Sequence, residues 1–367
     1  MFRLTLRSPR RFQNCTIPAV AKRNIVMETI KNTIAENFGG ASTKLAPKEH
    51  QFTLSEVPDL SGKVAVVTGG SQGIGYGCTH TLLSHNISKL FILSTAKDVV
   101  SGALKSIESE MGEAAAAKVT WLQCDLRDWE TIPKIASQIR QKTDRVDILI
   151  NNAARGIMTA QITSYGVDEH MAVNHIGHTI LTSHLLPVLK KTAEDGNTVR
   201  IVNMGSNAHA GAPSSTKFAS LEELNEDLGP NAQYGRSKLA TMHYSFYLAR
   251  HLSSAHPRIL ANTTHPGFVD TKASTSDIHE AYPLGGYAMS VAMKPFQKDQ
   301  FEGCVSTMFA ATKTEATGQY ITPPAIPEQG SSLAQDEALG EQLMKLTKQL
   351  VSEKTDAVAK GCPLEFY

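Results

Sequence analysis

The stretch KVAVVTGGSQGIG, residues 63–75, passes from a short β-branched run directly into glycines. The run reads as a buried strand, and a helix is expected from Ile74. In a strand–glycine–helix setting, Gly69 can make the tight turn and Gly73 can let the backbone approach a pyrophosphate. Gly75 can let the new helix lie close to the sheet. That helix start offers free N–H groups and a positive dipole end to phosphates. A plain turn explains the glycines taken alone, so the decision rests on what surrounds them.

Outward from this turn the pattern alternates. KVAVVT (63–68), KLFILS (89–94), KVTWLQ (118–123), VDILI (146–150), VRIVNM (199–204) and RILANTT (258–264) read as strands. Helix-length segments separate them, among them VVSGALKSIESEMG, WETIPKIASQIRQK with Pro133 in its first turn, and YGRSKLATMHYSFYLARHL. Short apolar runs with helical crossovers imply parallel strands. The expected fold is therefore α/β: a doubly wound parallel sheet, a Rossmann fold, in one domain over residues 61–330. An N-terminal arm (28–60) and a C-terminal helix and tail (331–367) extend it. Leu339, Leu343 and Leu346 recur at helical spacing, which suits packing on the domain or on a sister subunit. Two long segments, 207–233 and 270–300, leave carboxyl ends of strands, where open α/β sheets bind ligands.

Composition narrows the class further. Apolar residues make up 41% of the 367, and the formal net charge is +1, without the concentrated basic surface that nucleic-acid binding needs. No window approaches 18 uninterrupted apolar residues, so no membrane span is expected. The five cysteines are scattered, odd in number and free of CxxC pairs, as in a reduced intracellular protein. His170, His175 and His178 crowd one segment, but no further ligand completes a set, so no metal is expected. Residues 1–27 carry Arg3, Arg7, Arg10, Arg11, Lys22 and Arg23 and no acid, the composition of a mitochondrial presequence. Translation starting at Met27 is the competing reading. The location is then cytoplasmic, or mitochondrial if the Arg-rich segment is a presequence.

The glycine loop lacks a GKS or GKT sequence, which disfavours ATPase chemistry and leaves a dinucleotide as the natural ligand. An acid roughly 20 residues past the glycines would take the ribose hydroxyls of NAD. Ser94 and Thr95 stand there instead, with Lys97 close by, which favours NADP, with NAD as the alternative. Farther on, YGRSK places Tyr234 and Lys238 four residues apart, on one face of a helix start. Bringing a phenol from pKa near 10 to near 7 takes roughly 4 kcal/mol, which a neighbouring ammonium and a cationic nicotinamide can supply in a partly dry site. Tyr-x-x-x-Lys alone is a common accident, and it gains meaning from company.

The company is ordered along the chain, and with it the sequence resembles the short-chain dehydrogenase/reductase family over roughly Lys63 to Thr271, more loosely to Ile321. TGGSQGIG matches the family's TGxxxGxG. CDL (124–126) matches its aspartate step after the third strand, and NNAA (151–154) its NNAG. VNH supplies Asn174, VNMGS ends in Ser206, and HPGFVDT matches PGxxxT. The resemblance implies that Tyr234 is the general acid or base and that Ser206 bonds the substrate oxygen. Lys238 holds the nicotinamide ribose, and Asn174 supports a water relay through a helix distortion. Implied cofactor contacts are Gly69, Ser71, Gly73, Ile74, Gly75, Thr95, Asp125 and Leu126. They continue with Asn152, Ala153, Tyr234, Lys238, Pro266, Gly267, Val269 and Thr271, with Asp125 at the adenine and Thr271 at the nicotinamide amide.

Ala154 departs from the family's glycine, and the gap from Ser206 to Tyr234 is longer than in minimal members. That insert and the C-terminal extension resemble the retinol-dehydrogenase and WW-domain-oxidoreductase branch. The resemblance there implies NADP and apolar alcohols or carbonyls as substrates, and the wider family resemblance implies a dimer or tetramer, with a homodimer as the possible assembly. Tyr282, Tyr287, Met289, Met293 and Phe296 in the 270–300 loop suit an apolar substrate or lid packing equally. Other readings stay open: a non-catalytic NADP-sensing regulator, a dimeric scaffold, or a nucleotide-sugar epimerase or dehydratase, the last disfavoured by the loop spacing.

Overall fold

The computed structural model describes residues 31, 33–34, 36–37, 44–267, 269 and 298–355. The Arg-rich segment 1–27, Thr271 and the aromatic and methionine residues of the 270–300 loop lie outside them.

The six expected strands are present as β1 (Val64–Thr68), β2 (Lys89–Ser94), β3 (Val119–Gln123), β4 (Ile148–Asn151), β5 (Val199–Met204) and β6 (Ile259–Thr264). Two more follow, β7 (Tyr320–Thr322) and β8 (Ile326–Glu328). The sheet order is β3-β2-β1-β4-β5-β6-β7-β8, parallel except for the antiparallel β7–β8 pair. Sequence reading missed β7 and β8 because three residues are too few to show a period. Pro327 sits on β8, at the sheet edge, where no ladder donor is needed beyond it.

Among the described residues, the helices of more than ten residues that frame the sheet are α1 (Gly73–Ser84), α2 (Lys97–Met111), α3 (Ile132–Lys142), α4 (His178–Glu194), α5 (Pro230–Leu252), α6 (Gln300–Thr312) and α7 (Glu337–Lys354). Ala65 and Val67 of β1 pack with Leu82 of α1, Ile107 of α2 and Met308 of α6. Val64 and Val66 face the other way, into the core with Ile139 of α3, Leu185 of α4, Leu239 of α5 and Leu343 of α7. Alternate side chains of one strand thus enter opposite cores, and burial on both faces explains why the strands read as continuous apolar runs.

β4 begins two residues later than its sequence reading. Asp147, 1% exposed, accepts from Val64 N at 2.9 Å and from the Arg145 guanidinium at 2.7 Å, an anchor at the amino edge rather than a strand position. The 207–233 segment is folded rather than a bare loop. It holds short helical turns at Asn207–Gly211 and Leu221–Asn225, and Phe218 is fully buried. Buried Arg236 of α5 clamps it by donating to the carbonyls of Glu223 and Leu224, both at 2.6 Å. α7 lays Leu339, Leu343 and Leu346 into the core beside α5, and Arg250 of α5 pairs with Glu341 at 2.8 Å. In the arm, Phe52, Val57 and Leu60 pack into the core that holds α1 and α6.

Candidate active site

The strand order reverses between β1 and β4, the point at which a doubly wound sheet opens a crevice beyond its carboxyl ends. The glycine turn lies there. Gly69 has φ +65° and Gly73, the first residue of α1, has φ +52°, conformations that side chains rarely adopt. A Cβ on Gly75 would stand 2.2 Å from the carbonyl oxygen of Gly69, so the closeness of α1 to β1 depends on its absence. Ser71 is buried, and Ile74 is half-buried at the start of α1.

Thr68, the last residue of β1, ties this turn to the one after β4. Its Oγ1 accepts from the backbone N–H groups of Asn152 and Ala153, both at 2.9 Å. Asn152 returns the contact by donating its amide Nδ2 to the Thr68 carbonyl at 2.9 Å. Two turns expected to hold one ligand are therefore one hydrogen-bonded unit. The departure at Ala154 falls on an exposed residue just beyond it.

At the far ends of β2 and β3, Thr95 is exposed and Lys97, exposed as well, opens α2. Leu126 is buried. Asp125 is gripped by Arg127, with Nη2–Oδ2 at 2.7 Å, and this outweighs partial burial to hold its carboxyl below the usual range. Arg155 reaches buried Glu169 at 3.0 Å, and Arg127 reaches the same carboxylate at 3.7 Å. Neither arginine was singled out from sequence, because their pairing joins segments far apart in the chain.

Tyr234 and Lys238 share a face near the start of α5, with Lys238 Nζ 5.7 Å from the centre of the tyrosine ring. Lys238 is 3% exposed and donates to the carbonyl of Met204 at 2.7 Å, its one hydrogen-bond acceptor among the described residues. Burial alone pushes its ammonium down to about 7. A buried cation with donors to spare fits a ligand rich in hydroxyl oxygens, as a nicotinamide ribose is. Ser206 stands two residues beyond Met204. Its carbonyl is bonded by buried His209 at 2.7 Å, and its Oγ accepts from Ala208 N at 3.1 Å.

Asn174 lies in a six-residue π-helical segment, Ala172–Gly177, that leads into α4, so the expected helix distortion has a definite form. Its side chain accepts from Arg155 N at 2.8 Å and donates to Ser237 Oγ at 2.9 Å, bridging the β4 turn and α5. The neighbouring histidines are occupied separately: His170 with the Gly156 carbonyl, His175 with Thr347 of α7 and His178 with Thr68.

Beyond β6, Pro266 and Gly267 are half-buried, and Gly267 takes φ +81°. A Cβ there would stand 2.6 Å from both Lys298 Nζ and the Glu36 carbonyl. Val269 converges with Ile74 on Gly303 of α6, where a Cβ would stand 2.6 Å from Val269 and 3.3 Å from Ile74. Buried Lys298 donates to the Glu36 carbonyl at 2.6 Å, and Glu36 Oε1 lies 3.4 Å from buried His265. Glu36, His265 and Lys298 escaped sequence reading. Only the position of His265 directly before Pro266 hinted at a place in the site.

The structure thus gathers Tyr234, Lys238, Ser206 and Asn174 around β5 and α5, and the glycine turn with Asn152 and Ala153 around β1 and β4. Thr95 and Asp125 stand farther along the same edge. The sequence profile of the short chain dehydrogenase family matches residues 63–281. A Neurospora crassa protein designated a mitochondrial oxidoreductase, bli-4, is 55% identical over 346 residues, 92% of this chain and 84% of that one. Polyprenol dehydrogenase of Danio rerio is 30% identical over 312 residues, 83% of this chain and 91% of its own length. Among solved structures, the RhlG/NADP active-site complex of Pseudomonas aeruginosa is similar with a TM-score of 0.54 at 24% identity, covering 72% of this chain and 95% of that one. That last likeness is one of fold. By its profile match and its relatives, this chain is a member of the short chain dehydrogenase family, an oxidoreductase acting on CH–OH groups.

Proposed function

We propose that the protein is an NADP-dependent oxidoreductase that interconverts an apolar alcohol with its aldehyde or ketone, using Tyr234 as general acid and base. The observation that carries this reading is Lys238, buried, held by the Met204 carbonyl at 2.7 Å and set 5.7 Å from the Tyr234 ring. The bound nicotinamide supplies or accepts hydride. In reduction Tyr234 donates its phenolic proton to the substrate oxygen, and in oxidation it removes that proton. The Lys238 ammonium favours the phenolate and holds the ribose hydroxyls. Ser206 Oγ orients the substrate oxygen, and Asn174 fixes the π-helical segment through which a water relay replenishes the proton.

NADP is favoured over NAD by the lack of a carboxylate at Ser94 and Thr95, and by exposed Lys97 at the start of α2. The RhlG complex holds NADP, which agrees. An apolar substrate is supported by similarity to an enzyme named for a polyprenol. Among the described residues no helix is long and apolar enough to cross a membrane. A mitochondrial location is supported by the Arg-rich residues 1–27 and by the designation of bli-4.

The test is a side-by-side fluorescence titration with NADPH and NADH. At least tenfold tighter NADPH binding is expected. Tighter NADH binding overturns the cofactor assignment, and binding of neither overturns the enzyme reading.

A further inference from the structure

His178, at the start of α4, is 3% exposed and touches both halves of the site. Thr68 Oγ1 already accepts two backbone N–H groups, from Asn152 and Ala153, which fills both of its lone pairs. Its own proton must go to a third partner. His178 Nε2 stands 2.9 Å away, whereas the alternative, the Ile150 carbonyl, is at 3.5 Å. Nε2 therefore accepts, and a neutral ring must carry its proton on Nδ1. Nδ1 lies 3.4 Å from the carbonyl oxygen of Asn174, one turn earlier in the π-helical segment. Thr241 Oγ1 of α5 lies 3.2 Å from that same carbonyl and 3.0 Å from the carbonyl of Ser237. One neutral imidazole thus stands between the hydroxyl that organises the two ligand turns and the backbone of Asn174. Protonation would remove the acceptor Thr68 needs; burial opposes it, pushing the ring down to about 3.

We infer that His178 is a positioning residue that couples the cofactor turns of β1 and β4 to the segment carrying Asn174, acting through the Thr68 hydroxyl. The cofactor side of this inference rests on the function proposed above. The coupling itself does not, because it is a matter of which atoms hold the Asn152 and Ala153 amides.

The experiment is amide hydrogen exchange on the full chain, without nucleotide, at Asn152 and Ala153, with Leu149 and Ile150 of β4 as internal references. His178→Leu deprives Thr68 of its nearer acceptor, leaving the Ile150 carbonyl at 3.5 Å, and is expected to speed exchange of the two turn amides about tenfold over the references. His178→Gln, whose amide oxygen can accept from Thr68, is expected to stay within about threefold of wild type. Thr68→Val removes the acceptor of both amides, and adding His178→Leu to it is expected to change nothing more. A merely structural role moves turn and reference amides together, or makes the two substitutions additive; either result overturns the inference, as does unchanged exchange in His178→Leu. Should that variant fail to fold, His178→Asn, too short to reach Thr68, carries the same expectation. A parallel NADPH titration is expected to show about tenfold weaker binding in His178→Leu and recovery in His178→Gln. If wild type binds neither NADPH nor NADH, the proposed function fails while the exchange result still decides the coupling.

Discussion

The turn after β1 and the cluster around β5 and α5 are built on opposite terms. At the turn, atoms are missing: Gly75 has no Cβ where one would stand 2.2 Å from a backbone oxygen, and Gly69 and Gly73 take positive φ. At the cluster, polar atoms are buried: Lys238, His178 and Asn174 are each 3% exposed and held by named partners, and His265, 2% exposed, lies beside Glu36. A site of the first kind is broken by adding matter. A site of the second kind is broken by removing a hydrogen bond or adding a charge. The lesson is that neighbouring parts of one crevice fail through different physics, which makes the difference measurable.

The largest expected effect tests the polar side. Tyr234→Phe removes one oxygen and should cut turnover of a carbonyl substrate with NADPH by roughly 10²–10⁴-fold. NADPH binding should remain within about threefold and the melting temperature should not move. Retained turnover would remove Tyr234 from its role.

Acid tests the same side through stability. Burial holds His175, His178 and His265 down to about 3 from an ordinary 6.5. As pH falls below about 6.5 the unfolded chain takes up these protons first, so stability drops, and the loss levels off near pH 3. Each ring contributes about 1.4 kcal/mol per pH unit within that window. Urea unfolding at pH 7 and pH 5 should show it, and equal midpoints would mean that these rings are not buried neutral.

On the glycine side, Gly75→Ala should cost about 1–3 kcal/mol by forcing α1 off β1, with weaker NADPH binding in the same variant. Lys97→Glu should lower the preference for NADPH over NADH by about tenfold, roughly 1.4 kcal/mol, read from the two titrations. The smallest effect has the opposite sign. Gly102, exposed within α2, has nothing within 4 Å of where a Cβ would go, and Gly102→Ala should stabilise by about 0.5–1 kcal/mol. If Gly75→Ala were as harmless as Gly102→Ala, the turn would owe nothing to missing atoms.

Much of this is legible in the sequence alone. Six strands and their order in the chain follow from runs long enough to show their character. The glycines at 69, 73 and 75 and the pair at 234 and 238 have local spacings that carry their own meaning. β7 and β8 escaped because each is three residues long, and the 207–233 segment looked like an open loop because its order comes from Phe218 and Arg236 meeting distant partners. The π-helical segment around Asn174 leaves no signature in hydrophobic period. Arg127 and Arg155 read as ordinary surface charges until Asp125 and Glu169 stand beside them.

What the sequence by itself determined is the alternation of strands and helices, the glycine turn and the Tyr–Lys spacing, because backbone conformation and side-chain period are set by near neighbours. Only the tertiary structure decided that Thr68 ties the turns of β1 and β4 together, that Lys238 is buried against the Met204 carbonyl, and that His178 and Glu36 border the site. The physical reason is that desolvation and hydrogen bonding depend on atoms brought close by folding, 84 residues apart for Thr68 and Asn152. No local period in the chain encodes such a meeting.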